Sequence, residues 1–190
     1  MPNKFLMKYP IEQKFLTCPS KRRSGTKMPS VTFMVAHDTG NPGSTADQNV
    51  KYYQNSCHDM SASAHLFVDD KKIIECVPFL TATPEKAWHV LYNVDTDNTQ
   101  FGDDANDVAG GVEWCYGGKI DLKESYKRFV WVMAYACYKH KIDPLKEITG
   151  HYLLDPKRKT DPQKPLQLLK KTLDDFKKDV AAEMKACLSS

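Results

Sequence analysis

Val31-Thr32-Phe33-Met34-Val35-Ala36, running directly into His37-Asp38-Thr39-Gly40-Asn41-Pro42-Gly43, is the stretch on which the fold turns. Its first six residues are β-formers, apolar on both faces, and read as a strand buried inside a sheet. The next seven are polar and turn-forming, so the strand ends there. His37 therefore stands at the mouth of a rigid buried strand, a good place to hold a ligand. A lone His in such a place is more often structural, and only the later motif tips the balance.

Downstream, Ser44-Thr45-Ala46-Asp47 reads as the capped start of a short helix running to about Asn55. Residues 64–69 and 72–77 are two strand candidates, with Asp69-Asp70-Lys71 as the turn between them. His65 opens the first of these, and Trp88-His89 follows in a loop after Pro84. An aromatic beside an imidazole suits a sugar- or peptide-binding rim, whereas His65 and His89 serve equally well as hydrogen-bonded structural groups. Residues 92–107 are acidic and turn-forming, and lack the spacing of a calcium loop; they read as a surface loop near the site. Gly110-Gly111-Val112-Glu113-Trp114-Cys115-Tyr116 is then a strand carrying one acid. A lone carboxylate in a buried strand is costly unless it has a partner or a task, so Glu113 is a candidate functional group.

Asp121-x-x-Glu124 is a capping box, and Tyr126, Phe129, Val130, Met133 and Cys137 recur at helical spacing up to about Lys141. Leu166, Leu169, Leu173, Phe176, Val180 and Met184 form the stripe of a second amphipathic helix. Both stripes read as core. Strands and helices therefore alternate from residue 31 to residue 190 in one domain, an α/β pattern.

Upstream, residues 1–30 carry seven Lys/Arg against one Glu and are punctuated by four prolines, a basic irregular extension packed on or beside the domain. Lys21-Arg22-Arg23 reads as solvated surface, since no aromatic interleaving accompanies it. Residues 157–190 are also basic, with nine Lys/Arg against five acids, while 31–156 hold eleven against eighteen. Basic ends suit dwelling on an anionic polymer, and they suit an unpartnered solvated surface equally. With 41% hydrophobic and 27% charged residues the chain reads as globular. No apolar run reaches the length needed to cross a bilayer, which argues against membrane insertion, and the first 17 residues have no signal-peptide h-region. Six cysteines without a CxxC read as free thiols in a reducing compartment.

Gly150-His151-Tyr152-Leu153-Leu154-Asp155-Pro156-Lys157-Arg158-Lys159-Thr160-Asp161-Pro162 carries the chemistry. Pro156 and Pro162 forbid a regular helix through it, so His151 and Asp161 face one point only if the chain loops back. One imidazole and one carboxylate make two-thirds of a catalytic zinc site, which takes three protein ligands and leaves one position open. His37 is the best candidate for the third.

The segments VAHDTGNPGSTA (35–46), SASAHLFVDDKKIIECVP (61–78), AWHV (87–90), DNTQFGDDANDVAGGVEWCYG (97–117) and GHYLLDPKRKTDP (150–162), in this order, resemble the zinc-dependent N-acetylmuramoyl-L-alanine amidases of the type 2 amidase and peptidoglycan-recognition fold. The likeness is closest to endolysin and autolysin catalytic domains from bacilli and their phages, and covers about residues 30–165. It implies a central mixed sheet flanked by helices. It also implies one zinc ion held by His37, His151 and Asp161, with Glu113 as general base and Lys159 as stabiliser of the developing oxyanion. Peptidoglycan is the implied partner and the N-acetylmuramic acid–L-alanine amide the implied bond. His65, Trp88, His89 and Asn106 are read as candidates for the substrate rim. A monomer is expected, synthesised in the cytoplasm and reaching the cell wall by holin- or lysis-mediated release, with no nucleic-acid partner. Two features depart from the pattern: Gly110 stands where a bulkier strand residue is expected, and no wall-binding module follows the catalytic region. Two other readings compete: a non-catalytic peptidoglycan-binding protein on the same fold, and a zinc hydrolase acting on another amide.

Overall fold

The computed structural model describes residues 4–92 and 95–188. Its strands are β1 (Glu12–Gln13), β2 (Phe33–Asp38), β3 (Leu66–Val68), β4 (Ile73–Glu75), β5 (Ala109–Trp114) and β6 (Ile148–Gly150). They form one sheet in the order β1-β4-β3-β5-β2-β6. All neighbours run parallel except the β3–β4 hairpin, so the sheet is mixed, as expected. The strand read first, β2, lies between β5 and β6, with Phe33, Met34, Val35, Ala36 and His37 all buried.

Alternation along the strands gives the sheet two faces. Met34, Ala36, Leu66, Val68, Val112, Trp114 and Ile148 face one way, into the main core. There they meet α4 (Leu122–His140) and α7 (Leu173–Leu188), where Trp114 stacks on Phe129 at 5.2 Å and Phe129 on Phe176 at 4.9 Å. The Asp121 carboxylate caps α4 by accepting the Lys123 and Glu124 N–H groups, and Lys141 closes it in the left-handed region. The opposite face presents Phe33, Val35, His37, Phe67, Gly111 and Glu113 toward α1 (Ala46–Asn55), α3 (Ala105–Val108) and α5 (His151–Leu154). Thr45 and Gln48 form the capping box that starts α1.

Several expectations are corrected. Residues 92–107 are not a plain loop: α2 (Asp95–Phe101) and α3 occupy most of the segment, and the buried Asp97 carboxylate joins them by accepting the Ala105 N–H at 2.8 Å. The terminal stripe is two helices, α6 (Gln163–Leu168) and α7, because Lys170 turns left-handed and Thr172 restarts the chain by bonding Asp175. Gly110 has a cause: a Cβ there would lie 2.2 Å from the Phe79 ring and 2.8 Å from the Met34 methyl, so Phe79 fills the space a larger residue would claim. Residues 4–30 pack on the domain and reach into its sheet. β1 adds the outermost strand, Phe5 and Leu16 are buried, and the Leu6 N–H reaches the Cys187 carbonyl at 3.0 Å.

Arg22, expected on the surface, is fully buried. Its guanidinium lies 4.1 Å over the Tyr53 ring and donates to Ser56 O, Ser56 Oγ and Ala62 O. Among the described residues no ion pair involves it, so carbonyls and a π face replace a carboxylate. Arg22→Ala would take a donor from Ser56 O, Ser56 Oγ and Ala62 O and leave a void beneath Tyr53. A loss of about 2–4 kcal/mol is expected in urea unfolding; a midpoint within a few tenths of a kcal/mol of wild type would contradict this account.

Candidate metal centre and its cleft

Three neighbouring parallel strands deliver the site. His37 is paired with Glu113 across β2 and β5, and Ala36 with Gly150 across β2 and β6, so His151 begins α5 one step beyond β6 at the level of His37. Paired residues of a parallel ladder share a face, and ligand crevices form at the carboxyl ends of such strands. The proline-bounded loop then returns Asp161, whose carbonyl accepts the Tyr152 N–H at 3.1 Å. Gly150 leaves room for this return, since a Cβ there would lie 2.7 Å from the Tyr152 ring.

One atom of each of His37, His151 and Asp161 lies within 4.8 Å of the others. Asp161 Oδ2 is 2.9 Å from His37 Nδ1 and 3.1 Å from His151 Nδ1. Burial lowers the pKa of His37 to about 4, against the pull of the Asp161 hydrogen bond. Burial would raise that of Asp161, but the hydrogen bonds to His151 and His37 win and hold it well below the carboxylate range. At neutral pH His37 is thus a neutral imidazole beside an ionised carboxylate, the state in which such groups ligate a metal. Two imidazoles and one carboxylate converging on one point fit a divalent ion.

The cluster opens into a cleft of about 300 Å³ lined by Glu113, Tyr53, Trp88, His89, Lys159 and Asp38 among others. A neighbouring lobe of about 350 Å³ extends past Trp88 to Val90, Leu91 and Tyr92. Glu113 Oε2 is buried there with no hydrogen-bond partner among the described residues. Burial, then the negative charges of Asp161 and Asp38, push its pKa well above the ordinary glutamate value, with Lys159 opposing. Burial likewise raises Asp38 to about 6.

Of the four residues expected on the rim, Trp88 lines both lobes with a half-exposed side chain. The other three are buried, and of these His89 and Asn106 reach the edge of the cleft. His65 is fully buried: its Nδ1 accepts the Gly111 N–H at 2.9 Å and its Nε2 donates to Glu85 O at 2.8 Å. Asn106 is equally buried, and its amide pins the Trp88–Val90 loop by accepting the His89 and Val90 N–H groups and donating to Val90 O. His89 borders the cleft, but both its ring nitrogens are engaged, with His37 Nε2 at 3.0 Å and Ala109 O at 3.1 Å. Tyr53 and Asp38 were missed. Asp38 adjoins His37 in sequence, a usable signal; Tyr53 reaches the cleft only through the docking of α1.

The whole fold has solved counterparts. The catalytic domain of XlyA superposes with a TM-score of 0.71 at 25% identity, covering 90% of this chain and 99% of that one. A mutant endolysin from Bacillus subtilis gives 0.70 at 25%, over 90% and 98%. The Staphylococcus aureus hydrolase AmiA gives 0.72 at 19%, over 94% and 85%, a likeness of fold. In sequence, the N-acetylmuramoyl-L-alanine amidase BlyA of Bacillus subtilis (strain 168) is 31% identical over 171 residues, 85% of this chain and 44% of BlyA. CwlA of the same strain, an amidase of the same description, is 32% identical over 117 residues, 57% of this chain and 36% of CwlA. The chain thus spans less than half the length of these two relatives. Residues 26–164 match the profile of the type 2 amidases, described as N-acetylmuramoyl-L-alanine amidase. That span contains β2, β5, β6 and every residue of the cluster, and the chain belongs to this amidase family.

Proposed function

We propose that this chain hydrolyses the amide between N-acetylmuramic acid and L-alanine in peptidoglycan, using one zinc ion held by His37, His151 and Asp161. The observation that carries the reading is the convergence of two imidazoles and a carboxylate on one point, in the same cleft as Glu113 and Lys159. Zinc bound there supplies Lewis-acid polarisation and a water acidic near neutral pH. Glu113 takes the proton of the attacking water and returns it to the departing amine. Its buried, unpartnered oxygen suits a group that must hold a proton between two steps. Lys159 offers a fixed cation to the oxygen on which negative charge develops. Trp88 offers a flat apolar face for the substrate along the cleft. A non-catalytic binding protein on the same fold would have no use for the costly carboxyl of Glu113, so catalysis is the better reading.

Mass spectrometry of digested Gram-positive cell walls tests the bond. Intact glycan strands together with stem peptides that begin with alanine are expected. Cut glycan, or peptides opened at an internal bond, would refute the assignment. Lys159→Met is expected to lower turnover by about 10²–10³-fold with zinc content unchanged. Turnover within threefold of wild type would remove Lys159 from the mechanism.

A further inference from the structure

The Trp88–Val90 loop contributes a histidine that the cluster itself does not use. We infer that His89 is a positioning residue that fixes the tautomer of His37, turning the lone pair of His37 Nδ1 toward the metal position. This rests on the metal reading of the cluster and extends it to a residue outside the ligand set.

The argument starts at a backbone carbonyl. Ala109 O can only accept, so His89 Nε2, 3.1 Å away, must carry the hydrogen. A buried imidazole without a carboxylate partner stays neutral, and a neutral ring has one N–H; His89 Nδ1 is therefore an acceptor. His37 Nε2 lies 3.0 Å from that nitrogen and must donate to it. A His37 ring that holds a metal on Nδ1 has its single hydrogen on Nε2, the hydrogen that His89 Nδ1 is placed to accept. Nδ1 faces the cluster, 2.9 Å from Asp161 Oδ2. The chain Ala109 O, His89, His37 thus ends in a ligand atom aimed at the metal position.

A second observation shows that room was left for this ring. A Cβ on Gly111 would lie 2.6 Å from His89 Nδ1 and Cγ, so only glycine on that strand lets the imidazole lie flat against it. The His37 and His89 rings meet edge-on, at 88° and 5.2 Å between centroids. Partners of this kind, which hold a ligating histidine by its other nitrogen, typically contribute about 10–100-fold to metal affinity.

The test uses the full chain and zinc alone. Nitrogen-15 NMR of the zinc-loaded wild-type protein is expected to show His37 with its hydrogen on Nε2; a hydrogen on Nδ1 would overturn the inference whatever the variants do. In chelator competition, His89→Leu is expected to bind zinc about 10–100-fold more weakly. His89→Asn, whose Oδ1 occupies the place of Nδ1 and can still accept from His37, should recover most of that loss. If wild type takes up no zinc, the metal reading itself fails. If wild type binds zinc and folded His89→Leu binds it equally tightly, the His89 assignment alone fails.

Discussion

Glu113→Gln is expected to keep the fold and the zinc while turnover on cell walls falls by about 10²–10⁴-fold, the usual worth of a positioned general base. The glutamine fills the same volume on β5 and retains one carbonyl oxygen, but it can neither take nor return a proton. The same variant should answer to pH in a defined direction. Burial and the charges of Asp161 and Asp38 raise the Glu113 pKa far above its ordinary 4.5. The folded zinc-free chain therefore holds this proton more tightly than the unfolded chain. Burying the group costs little below that ordinary value and increasingly more as pH rises toward the folded pKa. Glu113→Gln removes the cost, so the zinc-free variant should melt at or above the wild-type temperature, by a margin that widens with pH. A variant that melts lower, or that clears cell walls at wild-type rate, would show that the carboxyl is structural.

Asp161→Ala carries the second large effect. Asp161 is the one carboxylate shared by both imidazoles, and it reaches them from a loop whose path Pro156 and Pro162 set. Its loss leaves two histidines, too few for tight zinc binding. At a zinc concentration about a thousand times the dissociation constant, binding stabilises the folded wild-type chain by about 4 kcal/mol. For a domain of this size that corresponds to a rise of about 8–16 °C in Tm. Scanning calorimetry with and without zinc should show the rise in wild type and none in Asp161→Ala, with activity at background. An equal rise in both would place the ion elsewhere.

Much of this was legible in the sequence because the decisive residues sit where local rules are strong. A strand apolar on both faces had to be central, so the histidine at its end had to lie at the sheet's carboxyl edge. The lone acid at Glu113 stood out for the same reason, and the prolines around Asp161 announced the returning loop. What escaped depended on distance rather than pattern. Arg22 was counted as solvated because nothing in residues 21–23 reveals that Tyr53 and two carbonyls cover it. His65 and His89 looked alike, since only the register of the strands shows that one is braced by backbone while the other touches His37. The break between α6 and α7 falls where the apolar spacing continues in helical phase. Its signal was Thr172 three residues before Asp175, a cap hidden inside the stripe.

The outermost strand has a bearing on protein engineering. β1, with the Lys14 and Leu16 N–H groups reaching the Glu75 and Cys76 carbonyls, seals the side of the hairpin that would otherwise lie bare. The family profile begins at residue 26, beyond this seal. A version trimmed to the profile would expose a ready template for another chain to zip onto, and would discard Arg22 as well. Moving this domain into a chimeric protein therefore calls for carrying the residues ahead of 26 along.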